Sequence, residues 1–184
     1  MRMRNIGLIA ALALGSAVTP VLAEPLSFGI VGMGGASIPI EQEDNDATSA
    51  RFGVRFPAST STIFSLEPYF FAGSGGTTEL DIGGITTERD GIDLKSAGIN
   101  VALGRLTGEG FRFYPFGGVG STVMTREGLD QSKLTWNFGL GMGAGPGGWL
   151  IDLRGEMNMV DTGDASRKWV GVTLGLGRRI TPGW

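Results

Sequence analysis

The chain has 184 residues, a net charge of −3 and neither histidine nor cysteine. This length allows one domain with a substantial core, and the weakly acidic balance gives no electrostatic reason to expect a nucleic-acid partner. The missing residue types exclude disulfides, thiolate nucleophiles, histidine bases and most zinc or copper sites.

The first 23 residues have the three parts of a Sec-type signal peptide. The chain starts with the basic run MRMR, continues with an apolar stretch at residues 6–18, and reaches a small-residue cleavage site at residues 21–23. The apolar stretch is too short for a membrane-spanning anchor. We therefore expect residues 1–23 to be a signal peptide and residues 24–184 to form one exported domain.

After the signal peptide, apolar residues recur at every second position, which is the period of a β-strand with two different faces. Helical periodicity is scarce, because almost every window is interrupted by glycine, proline or strict alternation. We predict eight strands, at residues 26–36, 49–56, 63–72, 93–104, 111–124, 134–145, 149–160 and 168–180.

The sixth predicted strand, LTWNFGLGMGAG, has one bulky face and one nearly bare face, which ends in four alternating glycines. A glycine in a strand interior is about 0.5–1 kcal/mol less favourable than alanine. Its repetition on one face indicates that something crowds that side. We expect the glycines to leave room for Asp152, Arg154 and Glu156 of the next strand.

The predicted connections alternate in length. The links at residues 57–62, 105–110 and 145–148 are tight and rich in turn residues. The other set is generally longer and includes acidic stretches, and it covers residues 39–48, 73–92, 126–132 and 161–167. Short turns at one end and long loops at the other are typical of an outer-membrane barrel.

The polar face decides between a membrane barrel and a soluble secreted sandwich or lipocalin-like barrel, because both share the same alternation. This face is mostly small residues, which suit a narrow closed lumen. Its isolated charges, predicted to form a lumen network, are Arg51, Arg55, Glu67, Asp152, Arg154 and Glu156. The apolar face carries no central charge, which would cost about 2–4 kcal/mol at the bilayer midplane.

Aromatic residues cluster near the strand ends beside the short turns, as in an interfacial girdle. They are Phe28, Phe56, Phe64, Phe111, Phe113 and Trp149. Strand count, loop asymmetry, signal peptide and girdle together predict an all-β fold, an eight-stranded antiparallel up-and-down transmembrane β-barrel.

The stretches FRFYPFGGVGS at residues 111–121 and WNFGLGMGAGPGGWLIDLRGEMNMV at residues 136–160 resemble the small outer-membrane barrels of the OmpA/OmpX type. The resemblance implies a bacterial outer-membrane location, among lipid and lipopolysaccharide. Gly171, Leu174 and Leu176 resemble the family's assembly signal for the barrel-insertion machinery, although Trp169 occupies its polar position.

The balanced charges favour a filled lumen with a structural or surface-interaction role through long acidic extracellular loops. A narrow or gated porin-like channel is the alternative. An enzyme is not expected, since outer-membrane enzymes of known types generally rely on histidine. Asp152 and Glu156 lie about 13 Å apart along one strand face, too far for paired-carboxylate catalysis. The acidic run EQEDND at residues 41–46 lacks EF-hand spacing, so neither metal nor cofactor is expected.

Overall fold

A computed structural model describes residues 26–40, 48–82, 84–89, 91–126, 128–161 and 166–180. The predicted signal peptide at residues 1–23 and the acidic run at residues 41–46 lie outside the described residues. Among the residues described, no helix is long and apolar enough to cross a membrane.

The described residues form eleven strands and one short 3₁₀ turn at Pro146–Gly148. The strands are β1 (Ser27–Ile40), β2 (Ser49–Arg55), β3 (Ala58–Ser59), β4 (Phe64–Gly75), β5 (Thr78–Ile82), β6 (Ile85–Arg89), β7 (Asp93–Leu103), β8 (Phe111–Arg126), β9 (Leu129–Ala144), β10 (Trp149–Asp161) and β11 (Ser166–Ile180).

Eight long strands close into a barrel. Their order is β11-β10-β9-β8-β7-β4-β2-β1, with every neighbouring pair antiparallel. The first and last strands pair with each other from Phe28↔Ile180 to Ile40↔Lys168, which completes the cylinder. Closure leaves the eight described barrel strands without an unpaired edge strand, as a sheet in lipid requires. The predicted eight-stranded up-and-down barrel is confirmed.

The strands continue beyond the predicted ends on the long-loop side. The prediction of a loop at residues 126–132 is wrong, because β8 and β9 pair as far as Arg126↔Leu129 and form a tight hairpin. The connection predicted at residues 73–92 contains a second hairpin, β5–β6. The β8–β9 extension lacks apolar alternation, since outside the apolar band neither face of a strand needs an apolar side chain.

The apolar face of the strands points outward. On β9, Leu134, Trp136, Phe138, Leu140 and Met142 are 45% to 53% exposed. Between them, Thr135 and Asn137 are buried. All six predicted girdle aromatics are also exposed. An apolar exterior around a polar interior is the reverse of a soluble barrel, so the soluble secreted alternative is wrong.

The glycine face of β9 points into the lumen and is crowded there. Gly141 lies opposite Arg154 in the β9–β10 ladder, and Gly143 lies opposite Asp152. A Cβ atom added to Gly141 would strike the ring of Tyr114, which reaches over it from β8. The bare face therefore makes space for large side chains of both neighbouring strands.

Candidate functional site

The centre of the lumen contains an ion pair between opposite walls of the barrel. Glu67 extends from β4 and Arg154 from β10, four strands apart in either direction around the barrel. Arg154 Nη1 donates to Glu67 Oε1 at 2.5 Å, and Nη2 donates to Oε2 at 2.6 Å. Both residues are almost fully buried. A bidentate pair fixes the orientation as well as the separation of the two groups.

Two more ion pairs join β2 to β10. Arg55 Nη2 lies 2.7 Å from Asp152 Oδ1, and Arg51 contacts Glu156. Arg55 also approaches Glu67 at 3.8 Å, which connects this group to the central pair. The cluster holds three arginines and three carboxylates, so its formal charges cancel.

Most of these ion pairs join strands that are not neighbours in the barrel. Among the six network charges, which all lie in the described part of the chain, the 3.8 Å contact between Arg55 and Glu67 is the one that joins neighbouring strands, β2 and β4. Strands β2 and β10 are separated by β1 and β11. In an eight-stranded barrel the interior is only wide enough for side chains, so long arginines reach across it.

Neutral polar side chains surround the central pair. Asn100 donates to Glu67 at 3.2 Å, and Asn137 donates to Asn100 at 2.9 Å. Arg154 Nε donates to the Tyr114 hydroxyl at 2.9 Å. Sequence reasoning did not assign these residues to the network, although each shares the inward parity of its strand. Their hydrogen bonds occupy donors and acceptors that would otherwise be costly to bury.

An apolar layer fills the lumen on the long-loop side of the charges. Its members are Met33, Tyr69, Phe71, Leu94, Met124, Val160 and Trp169, each 8% exposed or less. The guanidinium of Arg51 lies 3.6 Å from the centroid of the Phe71 ring, which gives the buried cation a favourable aromatic face. This layer was not predicted, because its members occupy polar-face positions of otherwise alternating strands.

The opposite end of the lumen is closed by the turn after β7. Leu106 and Thr107 tuck into the barrel and are almost inaccessible. The backbone nitrogen of Leu106 donates to Ser65 Oγ at 3.0 Å, and that of Thr107 donates to Ser59 Oγ at 3.2 Å. A predicted surface turn is therefore a packed closure at the short-turn end.

Small cavities remain inside the described lumen. One is lined by Arg51, Arg55, Tyr69 and Asn137 among others, and the volume open to the centre of a water molecule is about 10 Å³. That is room for about one water. Several polar atoms here have no hydrogen-bond partner among the described residues, including Arg51 Nε and the Tyr69 hydroxyl. The described residues place no group of three or more acidic side chains where they could hold a metal ion.

A polar cavity of about 360 Å³ lies at the long-loop rim. It is lined by Ser74, Gly75, Thr77, Gly91, Asp93, Thr125 and Gly128. The rim cavity combines hydroxyl groups with one carboxylate, and Thr125 also donates to Asp130 at 2.6 Å. It could accept a small polar group from outside the barrel.

No family model and no curated protein matches the chain by sequence. Among solved structures the chain is similar to Neisserial surface protein A, with 11% identity and a TM-score of 0.56, over 87% of this chain and 99% of that one. It is also similar to the N-terminal β-barrel domain of Pseudomonas aeruginosa OprF, with 14% identity and a TM-score of 0.54, over 84% and 97%.

The shared fold is that of the small outer-membrane β-barrels. In this chain the fold carries an apolar exterior, a girdle of aromatics at the short-turn end and a polar lumen. These are the properties of a barrel embedded in lipid. Fold and exterior together are those of a β-barrel that spans a membrane.

Proposed function

We propose that this chain is a non-enzymatic outer-membrane barrel with a sealed lumen, which acts as a structural protein and through its extracellular surface. The observation that carries the proposal is the set of ion pairs across the lumen, centred on Glu67 and Arg154. The apolar layer packs on the long-loop side of these charges, and a second buried cluster around Leu106 and Phe116 packs on the short-turn side. The barrel wall is thus internally braced.

The filled lumen favours this role over a porin-like channel. A solute that passed through would have to separate buried ion pairs, and breaking one such pair costs about 3–5 kcal/mol. It would also have to displace the apolar layer and the inserted turn at Leu106 and Thr107. A gated channel would need all three closures to open together.

The chemistry of the lumen supports a non-enzymatic role. The buried carboxylates Glu67, Asp152 and Glu156 are each engaged by an arginine. Neither histidine nor cysteine is available in the chain as a general base or nucleophile. Catalysis would need a substrate to reach groups that are enclosed by the barrel wall.

The loop side offers the surfaces for interaction. The rim cavity next to Asp93 is polar and open to the outside. Long acidic connections are proposed to extend from the same end, with Glu88 exposed on the β5–β6 hairpin. The expected partners are outer-membrane lipid and lipopolysaccharide around the barrel and an extracellular ligand at the loops.

The last strand is proposed to carry the signal for the barrel-insertion machinery. Leu174 and Leu176 are exposed on the outer face of β11, and Gly171 faces the lumen beside Arg51. Trp169 also faces inward, in the apolar layer. In the family's assembly signal this position is polar. Here it holds the inward-facing Trp169, while Leu174 and Leu176 still face the lipid.

Cysteine labelling tests the proposed orientation, because the chain has no cysteine of its own. Leu129→Cys places a thiol on the exposed tip of the β8–β9 hairpin, and Pro146→Cys places one in the short turn. A membrane-impermeant maleimide is expected to label Leu129→Cys on intact cells and Pro146→Cys only after the outer membrane is permeabilised. Equal labelling in a soluble periplasmic fraction would contradict the proposal.

A further inference from the structure

The outer face of the barrel has a groove at Gly155, in the middle of β10. Outward positions on either side carry Leu153 and Met157, but Gly155 itself has no side chain. A Cβ atom added there would meet nothing within 4 Å. The groove has a volume of about 800 Å³, and its walls include Leu140 of β9 and Val172 of β11.

A cation lies on the same face, near the short-turn end. Arg178 of β11 points outward opposite Trp149, the first residue of β10. Its guanidinium carbon is 4.7 Å from the centroid of the Trp149 ring. Among the described residues, no carboxylate forms an ion pair with Arg178. A stacked guanidinium keeps its N–H donors available at the edge for a planar or phosphate acceptor.

The separation of the two features matches one leaflet of a bilayer. Gly155 follows Trp149 by six residues, which is about 20 Å along a strand. With a strand tilt of 35–45°, this becomes about 15 Å along the membrane normal. Half of a hydrocarbon core of about 30 Å is the same length. If a lipid headgroup lay at Arg178, the end of its acyl chain would therefore reach the depth of the groove.

We propose that one glycerophospholipid of the periplasmic leaflet binds this face, with its phosphate on Arg178 and an acyl chain in the groove at Gly155. The inference rests on the proposed orientation, in which the short turns face the periplasm. The charge of Arg178, which no described carboxylate neutralises, complements an anionic phosphate. The open space at Gly155 admits a chain that neighbouring bulky side chains would exclude.

The experiment uses the full barrel refolded without lipid and inserted into nanodiscs of phosphatidylethanolamine and phosphatidylglycerol at 3:1. Native mass spectrometry then counts the phospholipids that remain bound as activation removes the bulk lipid. The wild type is expected to retain one. Gly155→Leu and Arg178→Gln are each expected to reduce that one-lipid population by about tenfold, the scale of one lost charge-assisted or well-packed contact.

Two variants outside the site serve as controls. Gly34→Leu fills another open outward glycine, on β1, and Lys95→Gln removes another outward cation, at the loop end of β7. Both are expected to retain the lipid as the wild type does, and a heat-dependent gel shift verifies the fold of every variant. Equal loss in control and site variants, or no retained lipid in the wild type, would overturn the lipid site. Failure of the barrel to enter nanodiscs would instead contradict the membrane location.

Discussion

Glu67 and Arg154 join opposite walls of the barrel through two hydrogen bonds of 2.5 and 2.6 Å. The pair crosses the lumen between β4 and β10, which lie four strands apart in either direction around the barrel. Asn100 and Tyr114 complete the hydrogen bonding around it. The same contact therefore joins opposite walls and fills the centre of the lumen.

Removal of one partner of the central pair is expected to destabilise the barrel strongly. Glu67→Leu leaves Arg154 buried without its bidentate acceptor and should lower the free energy of unfolding by about 3–5 kcal/mol. Urea titration of the refolded protein in lipid vesicles measures this change. The double variant Glu67→Leu with Arg154→Met should recover much of the loss, because no charge of the pair remains unpaired. A double variant as unstable as the sum of the two singles would contradict direct coupling.

A larger side chain on the lumen side of β9 is expected to destabilise the barrel more than a smaller side chain on its lipid side. Gly141→Leu would drive a side chain into the Tyr114 ring, and overpacking of this kind costs about 1–3 kcal/mol or prevents folding. Leu140→Val removes one methylene from the lipid face and should cost less. The fraction of each variant that shows a heat-dependent gel shift measures how much of it is folded, and the two fractions are compared.

A second substitution sharpens the comparison at Gly141. Tyr114→Ala removes the ring that the new leucine would strike, so the combination with Gly141→Leu should fold better than Gly141→Leu alone. If both behave alike, the crowding does not come from Tyr114.

A charge on the outer face is expected to be costly in proportion to its depth. Leu140 lies beside Gly155 in the ladder, near the proposed midplane, and is 53% exposed. Leu140→Lys should lower the free energy of unfolding in a bilayer by about 2–4 kcal/mol, whereas Ile180→Lys at the strand end should cost about 0–1 kcal/mol. Equal and negligible costs would show that this face meets water.

The sequence was sufficient to predict the barrel because lipid and lumen impose opposite polarity on alternate residues. The strands and the outward faces of Leu140 and Trp136 follow from that alternation. The strand ends at Arg126 and Leu129 did not, because beyond the lipid both faces of a hairpin tolerate polar residues. The alternation of apolar and polar residues therefore cannot locate these strand ends.

The partners of the lumen charges were less predictable than the inward direction of their side chains. Parity places Arg154 and Glu67 on the polar face, but the distance across a closed barrel depends on strand number and tilt, which no single strand encodes. The inward position of Phe71 was not predicted for another reason. A filled lumen can bury aromatic residues as well as polar ones, so polar-face positions are not always polar.

The most direct test of the sealed lumen is planar-bilayer recording of the purified, refolded barrel. With the ion pairs of Glu67 and Arg154, the apolar layer and the inserted turn at Leu106 and Thr107 all in place, the wild type should show no steady conductance. Large, persistent channels in the wild-type protein would contradict the account and favour the porin-like alternative.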